Sequence, residues 1–371
     1  MVVALSGGVD SAVAAWLLAD QGYAVECLHM TNWDDDDGYC DAAGDLQDAR
    51  SVCDRLGLTL HRVNFASEYR ETVFSNFLEE TSGGRTPNPD VLCNREIKFG
   101  LMLRYARRLG ADRLATGHYA RLGEDDGQPV LLKGRDGQKD QSYFLHAVNA
   151  PDLNQVVFPL GNRNKAEVRD LARQAGLSIA DKRDSTGICF IGERPFGQFL
   201  GRYIKPEPGP IVTETGELLG QHQGLHLYTL GQRKGLGIGG VGSAADAPWY
   251  VAAKKSDSNQ LIVVQGGDHP ALFSDWLETS PVNWIGPVPA EWPQGGTIRC
   301  QVKTRYRQAD QPCSLIRIGE NASQVVFDQA QRAVTPGQYA VFYLGDRCLG
   351  GAQIERTGCG EITNSPVAQV I

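Results

Sequence analysis

Two of the nine cysteines stand in surroundings that favour chemistry over simple burial. Cys93 lies in the segment TPNPDVLCNREIKFG, and Cys189 lies in DSTGICFIGE. The other seven fit the usual behaviour of cysteine as a small buried hydrophobic residue. The sequence has no C-x-x-C pair, which argues against a zinc ribbon or a ferredoxin-type cluster, so we predict no protein-held metal site.

The segment around Cys93 is rich in residues that restrict the backbone. Pro87 and Pro89 keep their neighbours extended, so we expect an ordered loop here rather than a helix. Asn94 can cap a helix that starts directly after it. A cysteine at a helix N-terminus beside basic side chains forms thiolate readily, and we expect this of Cys93.

The string SGGVDS, from Ser6 to Ser11, follows an apolar strand and opens a helix. Gly7 and Gly8 let the backbone approach a phosphate without a Cβ clash. The free N–H groups and the dipole of the following helix favour an anion at its start. The string matches neither the Walker A motif nor G-x-G-x-x-G. We call residues 6–11 the phosphate loop.

The elements around these residues alternate between strand and helix. Apolar runs predict strands over 1–5, 23–30, 58–63 and 113–116. Helical spacing of apolar residues predicts helices over 10–21, 46–56, 68–80, 97–109 and 164–176, the last capped by Asn162 or Asn164. This order is typical of a parallel sheet covered by helices on both faces.

A change to Pro- and Gly-rich sequence at 195–210 marks a domain boundary, after which short alternating runs predict an all-β organisation. We expect an α/β catalytic domain over 1–204, a small β-rich central domain over 205–270 and a C-terminal β-barrel over 271–371. A chain of 371 residues is expected to form several domains.

Composition places the chain among ordinary globular proteins. Apolar residues make up 42% and charged residues 22%, and 36 basic against 44 acidic residues give a net charge of −8. A protein that coats DNA without specificity is therefore unexpected, although a local basic patch could still bind RNA. No signal peptide or long apolar run is visible, so we expect a cytoplasmic protein with no membrane association.

The phosphate loop resembles the PP-loop of ATP pyrophosphatases, which cleave ATP between the α- and β-phosphates. Across nearly its whole length the chain resembles bacterial tRNA-specific 2-thiouridylases. The motifs appear in that family's order: SGGVDS, TPNPDVLCN, ATGHYAR, KDQSYFL, DSTGICFIGE and LGQRKGLGIGG. One departure is Ala4, which stands where a glycine is commoner.

The resemblance implies ATP as cosubstrate, with Mg²⁺ beside the triphosphate. The implied ATP-binding residues are Ala4, Leu5, Ser6, Gly7, Gly8, Val9, Asp10, Ser11, Met30 and Gly117.

The resemblance also implies a reaction. ATP adenylates C2 of the wobble uridine U34 in tRNA(Lys), tRNA(Glu) and tRNA(Gln). Cys189 carries a persulfide from a sulfur-relay protein downstream of a cysteine desulfurase, and Cys93 ends the transfer by forming a disulfide with Cys189. Asp90 is the implied general acid/base.

The implied tRNA contacts fall in three places. Asn88, Pro89 and Asp90 would touch a uridine taken out of its stack. Lys139, Asp140 and Gln141 are a second set, and Arg305 and Tyr306 a third. In QVKTRYRQ, strand alternation predicts Lys303, Arg305 and Arg307 on one face, as a stripe that binds phosphate.

Three other functions stay open at this point. Another PP-loop ligase could adenylate a small acid without needing the cysteine pair. A non-catalytic RNA-binding module could merely hold a nucleotide. Thiolation of tRNA with an iron–sulfur cluster is disfavoured by the missing C-x-x-C.

Overall fold

The chain forms three groups of strands, numbered here in chain order. The computed structural model describes residues 1–33, 42–184, 190–191, 195–238, 247–288, 292–293, 295–319 and 321–360. The strands are β1 Val2–Ala4, β2 Glu26–Thr31, β3 Thr59–Asn64, β4 Leu114–Ala115, β5 Ala120–Asp125, β6 Gln128–Lys133, β7 Val156–Val157, β8 Gly209–Val212, β9 Leu218–His222, β10 Trp249–Lys255, β11 Gln260–Gln265, β12 Phe273–Thr279, β13 Asn283–Trp284, β14 Thr297–Lys303, β15 Gln311–Arg317, β16 Ser323–Arg332, β17 Tyr339–Leu344 and β18 Arg347–Gly358.

The helices of the described residues concentrate before residue 201. The α-helical segments are Val9–Asp20, Ala42–Leu56, Ala66–Tyr69, Ser75–Ser82, Pro89–Leu92, Leu103–Arg108, Ser142–Leu145, Ala150–Leu153, Lys165–Gln174 and Phe196–Leu200. Wider π-helical turns occupy Arg70–Phe74 and Cys93–Met102, and short 3₁₀ turns occupy Leu225–Leu227 and Pro270–Leu272.

A parallel sheet of order β3-β2-β1-β4-β7 organises the N-terminal part. The strand β1 pairs with β2 on one side and with β4 on the other, so the order of connection reverses between β1 and β4. Such a reversal leaves a crevice at the carboxyl ends of the strands, where open α/β sheets bind ligands. This confirms the predicted fold of the N-terminal part.

Helices cover the sheet on both faces, and apolar side chains form a buried cluster on each side. The helix Val9–Asp20 is almost wholly buried, and its small residues let it lie close to β1 and to the helix Lys165–Gln174. That second helix begins with the predicted cap: the Asn164 side chain accepts from the Glu167 backbone while Glu167 accepts from the Asn164 backbone.

The C-terminal strands close into a barrel. They run in the order β12-β16-β15-β14-β17-β18, and β12 also pairs with β18. A separate sheet of order β10-β11-β8-β9 forms the β-rich central part. Both features confirm the predicted fold class.

A hairpin that the sequence analysis did not predict joins the N-terminal part to the C-terminal barrel. The hairpin of β5 and β6 leaves the N-terminal part and adds to the edge of the barrel, where Leu131 and Leu132 pair with Cys348 and Arg347. The barrel is thus fixed against the N-terminal part by backbone hydrogen bonds. Within the described ranges, no helix combines the length and apolarity that crossing a membrane would require.

Candidate active site

The phosphate loop is held by its own hydroxyl groups. Ser11 Oγ donates to the carbonyl of Gly8 over 3.0 Å, and the Ser6 backbone N–H donates to Ser11 Oγ over 3.1 Å. Gly7 has φ +86°, and a Cβ there would overlap the carbonyl of Asp45. The loop therefore needs glycine at this position, and its shape is set before any ligand arrives.

The other predicted ATP-binding residues lie at the same edge of the sheet. Ala4 ends β1 and Leu5 follows it. Met30 lies near the end of β2, and Gly117 lies just beyond β4. A Cβ on Gly117 would come within 2.7 Å of the Ser11 backbone nitrogen, so the chain after β4 touches the start of the helix. All ten predicted residues therefore lie in the phosphate loop or at the carboxyl ends of β1, β2 and β4.

Lysines that the sequence analysis did not assign to the site surround this loop. Lys165 Nζ donates to both carboxylate oxygens of Asp10, over 2.7 and 2.8 Å, and pairs with Asp184 over 2.7 Å. Lys182 Nζ donates to the carbonyl of Gly7 over 3.2 Å and is also held by Asp45. No local motif indicates these lysines, because their partners are distant in sequence: Lys165 is 155 residues from Asp10.

Charge pairing fixes the protonation of this region. Burial alone would raise the pKa of Asp184, but hydrogen bonds from Lys139 and Lys165 outweigh it and hold that pKa below its usual value. Burial and the neighbouring Asp10 carboxylate raise the pKa of Tyr119, whose hydroxyl donates to Asp10 over 2.8 Å. Asp184 is therefore charged at neutral pH, and the Tyr119 hydroxyl keeps its proton.

The prediction of a loop up to Asn94 is wrong. Asn88 is extended, as expected before a proline, but a helix begins at Pro89, continues through Cys93 and extends to Arg108. Proline is well accommodated at the first position of a helix because its missing N–H would have no partner there. The Asn94 amide donates to the carbonyl of Asp90 over 2.9 Å instead of capping a new helix.

Cys93 is therefore one turn inside a helix, with 4% of its surface exposed. Asp90 lies one turn before it, and burial raises the pKa of Asp90, with Lys98 partly offsetting the effect. A carboxyl group with a raised pKa is suited to general acid/base work. That Cys93 is prone to form thiolate stays a prediction.

The Cys93 helix approaches the predicted ATP-binding residue Gly117 through Phe99. The Phe99 ring lies 5.7 Å from the ring of His118, which directly follows Gly117. Burial, reinforced by Lys98, lowers the pKa of His118 well below its usual value, so the ring is neutral. Its Nδ1 shares a hydrogen bond of 2.8 Å with the Thr116 hydroxyl.

Cys189 lies outside the described residues. The next residue, Phe190, is fully buried among aromatic rings, 5.6 Å from Trp33 and 5.1 Å from both Phe74 and Phe77. Phe190 and Cys93 belong to the same buried cluster.

The barrel holds the segment before Cys93. The Thr86 backbone N–H donates to the carbonyl of Pro336 over 3.0 Å, and Gln338 Nε2 donates to the carbonyl of Thr86 over 2.7 Å. A Cβ at Gly337 would meet the Thr86 backbone at 2.8 Å. The barrel therefore positions the predicted base-contacting residues 88–90.

Residues 139–141, which are predicted to contact tRNA, are buried or half-buried and are bonded within the protein. Asp140 is buried and accepts from the backbone N–H groups of Gly134 and Ser142. Gln141 and Tyr119 exchange hydrogen bonds of 2.9 Å, by way of the Gln141 side chain and backbone. Lys139 is half-buried and pairs with Asp184.

The prediction that Lys303, Arg305 and Arg307 share one strand face is wrong. The strand β14 ends at Lys303, and residues 304–307 form a turn, which we call the barrel turn. Lys303 points inward, where it pairs with Asp140 over 3.5 Å and lies over the ring of Tyr343. Strand alternation ends with the strand, so it cannot place Arg305 or Arg307 beside Lys303.

The barrel turn nevertheless packs on a helical turn that lies between the other two sets of predicted tRNA contacts. The Tyr306 ring lies 4.5 Å from that of Phe144, in the helical turn Ser142–Leu145 that follows residues 139–141. That turn contacts Pro89–Leu92. Arg305 and Arg307 are exposed. Next to them is an open cleft of about 740 Å³ whose cationic lining residues are Arg121, Lys133, Arg135, Lys303 and Arg307.

Comparison with known proteins decides the family. The model of the "tRNA methyl transferase HUP domain" matches residues 1–193, that of the "tRNA methyl transferase PRC-barrel domain" matches 197–265, and that of the "Aminomethyltransferase beta-barrel domain" matches 274–354. A "tRNA-specific 2-thiouridylase MnmA" of Psychromonas ingrahamii is 55% identical over 96% of this chain and 96% of its own. One from Chromohalobacter salexigens is 55% identical over 96% of this chain and 92% of its own.

The chain belongs to the tRNA-specific 2-thiouridylase family. The thiouridylases are sulfurtransferases, whereas two of the matched models carry a methyltransferase name. The relatives decide the assignment because they match nearly the whole chain at 55% identity. Among solved structures, an NMN synthetase from Francisella tularensis is 20% identical with a TM-score of 0.33, covering 54% of this chain and 71% of its own.

The described part of the predicted site thus combines a preformed phosphate loop, a buried cysteine one turn after a carboxyl group of raised pKa, and a barrel that holds the segment just before them. Among the residues described by the structure, no group of three or more His, Cys, Asp or Glu side chains could hold a metal ion. The loop is shaped to hold a phosphate, and Asp90 beside Cys93 is suited to proton transfer.

Proposed function

We propose that this protein converts the wobble uridine U34 of tRNA(Lys), tRNA(Glu) and tRNA(Gln) to 2-thiouridine. The observation that carries the proposal is the 55% identity, over 96% of the chain, to proteins named tRNA-specific 2-thiouridylase. The crevice that unites the phosphate loop with Gly117, and the contact between Phe99 and His118, support it.

In the first step, the C2 oxygen of the uridine attacks the α-phosphate of ATP and pyrophosphate leaves. Asp90 takes the proton that the base gives up, for which a carboxyl group of raised pKa is suited. ATP is held by the phosphate loop with Ala4, Leu5, Met30 and Gly117. The uridine, taken out of its stack, is contacted by Asn88, Pro89 and Asp90.

In the second step, sulfur replaces the adenylated oxygen. The terminal sulfur of a persulfide on Cys189 attacks C2, and AMP leaves with the electron pair of the C2–O bond. The Cys93 thiolate then attacks the Sγ of Cys189, the sulfur–sulfur bond to the base breaks, and its electron pair leaves the thiocarbonyl on C2. The product is a disulfide between Cys93 and Cys189, which a thiol reductant reopens.

Mg²⁺ fits the residues around the phosphate loop only if the nucleotide supplies most of its ligands. Asp10 is a carboxylate in the first turn of the helix at that loop. Mg²⁺ bound to nucleotides commonly takes one or two carboxylates together with phosphate oxygens and water. In that position it would neutralise charge on the phosphates.

The remaining contacts complete the proposal. The tRNA is bound by Lys139, Asp140, Gln141, Arg305 and Tyr306, and of these the exposed Arg305 and half-buried Lys139 have side chains that can reach a phosphate. The sulfur comes from a relay protein downstream of a cysteine desulfurase, and the enzyme works in the cytoplasm.

Mass analysis of bulk tRNA from cells that lack the gene tests this function. We expect 2-thiouridine at position 34 to disappear and to return with the wild-type gene. The purified protein should form 2-thiouridine only with ATP and a persulfide donor. Pyrophosphate release with a small acid and without tRNA would indicate another PP-loop ligase. Binding of tRNA without any pyrophosphate release would indicate a non-catalytic module.

A further inference from the structure

The barrel turn has a backbone shape that its own residues do not favour. Arg307 has φ +66°, in the left-handed region that residues other than glycine rarely occupy. Its side chain is exposed, so its own burial does not compensate for this conformation. Residues in such a conformation persist only where surrounding contacts fix the backbone. The contacts that fix Arg307 must therefore come from its neighbours.

Gln308, the residue after the barrel turn, spans the turn with its side chain. Its Oε1 accepts from the backbone N–H of Thr304 over 2.7 Å and from the Thr304 hydroxyl over 3.0 Å. Its backbone N–H donates to the carbonyl of Arg305 over 3.3 Å. Thr304 is buried, so its N–H would be costly to leave without an acceptor. The side chain of Gln308 thus holds the two ends of the turn together around Arg305 and Tyr306.

A chain of side-chain amides fixes the orientation of Gln308. Its Nε2 donates to Oε1 of Gln331 over 3.1 Å. Gln331 Nε2 in turn donates to Oε1 of Gln311 over 3.0 Å and to the carbonyl of Gln329 over 2.8 Å. Gln331 lies in β16 and is 9% exposed. Because turning any one amide over would bring two donors or two acceptors face to face, the barrel strands determine where the oxygen of Gln308 points.

We propose that Gln308 is a positioning residue for tRNA binding, which holds the barrel turn in the shape that presents Arg305 and Tyr306 to the RNA. This rests on the proposed tRNA contacts of those two residues. Without the amide of Gln308, the turn would occupy several conformations, and only a fraction of the molecules would be ready to bind. The apparent affinity for tRNA falls in proportion to that fraction, whereas the reaction of tRNA already bound is unaffected.

Steady-state thiolation and direct tRNA binding test the assignment in the full-length protein. Gln308→Met keeps the length of the side chain but removes its donor and its acceptor. It should raise the KM for tRNA about fivefold or more and leave kcat and the KM for ATP within about twofold of wild type. A merely structural role would instead reduce the fraction of folded enzyme, which lowers kcat and leaves the KM unchanged.

A second variant, Gln331→Met, separates positioning from direct contact, because Gln331 is buried. It should also weaken tRNA binding, and the double variant should bind within about twofold of Gln308→Met, since both changes break one chain of hydrogen bonds. Gln301→Met is the matched control. Gln301 is a half-buried glutamine in β14 of the same barrel, and among the described residues its Oε1 has no hydrogen-bond partner. This control should leave tRNA binding unchanged.

Each outcome decides the assignment. A wild-type KM for tRNA in Gln308→Met, or equal weakening of tRNA binding by Gln301→Met, would overturn it. Losses that add in the double variant would mean that Gln308 contacts tRNA itself, which would also overturn it. If Gln308→Met does not fold, Gln331→Met decides alone, and wild-type tRNA affinity in that variant overturns the proposal. If the wild type binds tRNA but thiolates none, the proposed function fails, while direct tRNA binding still tests the role of Gln308.

Discussion

The phosphate loop and the barrel turn both belong to the proposed site, but the chain builds them differently. The loop is closed by hydrogen bonds among Ser6, Gly8 and Ser11, which are at most five residues apart. The barrel turn takes its position from distant residues: Tyr306 packs on Phe144, and Lys303 before it pairs with Asp140, 163 residues away.

The difference shows what a short motif can and cannot specify. A loop stabilised by its own side chains keeps its shape wherever it occurs, so its residues indicate its chemistry. A turn that depends on partners from another part of the chain has no such signature. We therefore expect that changes in the phosphate loop or in the two cysteines abolish the reaction. Changes in or beside the barrel turn should alter tRNA binding and stability by smaller amounts.

The largest effects should come from the two cysteines. Cys189→Ser should accept no labelled sulfur from a persulfide donor but should still adenylate tRNA, because the phosphate loop and Asp90 are unchanged. Cys93→Ser should load sulfur on Cys189 but fail to turn over. Peptide mapping of labelled protein and pyrophosphate release measure the two halves separately.

The wild type supplies the control for this pair. After one turnover without reductant, non-reducing peptide mapping should find Cys93 and Cys189 in one disulfide. Full thiolation by either serine variant would mean that the cysteines are only structural. The phosphate loop and the barrel turn would then differ only in what they bind.

Asp10→Ala should lower ATP-dependent activity about a hundredfold or more, while tRNA affinity stays within about twofold of wild type. Asp10 touches Lys165 and Tyr119 at the phosphate loop and no residue of the barrel turn. A filter-binding assay with tRNA, beside a pyrophosphate-release assay, separates the two quantities. An equal loss of tRNA binding would show that the loop and the RNA surface are not independent.

Gly117→Ala should raise the KM for ATP about tenfold, equivalent to about 1.4 kcal/mol. The added methyl group would lie 2.7 Å from the Ser11 nitrogen, too close unless the chain after β4 or the helix start moves. Gly137→Ala is the matched control, because a Cβ there meets nothing within 4 Å. Equal KM values for the two variants would show that the crevice tolerates the shift.

The sequence predicted the N-terminal fold well because local pattern and parallel-sheet topology determine it. The same topology explains why Ala4, Met30 and Gly117 lie at or just beyond the ends of neighbouring strands. It failed at Pro89, where a proline that can end a helix instead begins one, and at the hairpin β5–β6, whose pairing with β18 depends on residues more than 200 positions away. The domain limits, the individual site residues and the roles of the two cysteines stay predictions.

The smallest effects should separate Lys303 from its neighbours in the barrel turn. Lys303→Met should lower the free energy of unfolding by about 1–3 kcal/mol, because the buried Asp140 loses a cationic partner. Arg305→Gln should leave stability unchanged and weaken tRNA binding, because Arg305 is exposed. Urea unfolding and tRNA binding across a range of salt concentrations measure both effects.

The salt dependence decides between the predicted stripe and the observed turn. Each phosphate contact that is lost should lower the slope of log K against log salt by roughly 0.7–0.9. We expect that decrease for Arg305→Gln and no decrease for Lys303→Met, since the Lys303 ammonium already faces Asp140 and the ring of Tyr343. Arg299→Gln removes a cation from an exposed pair with Asp328 on the same barrel and should change neither quantity much. If Lys303→Met lowered the slope as much as Arg305→Gln, Lys303 would have to turn outward to meet RNA, as the predicted stripe requires.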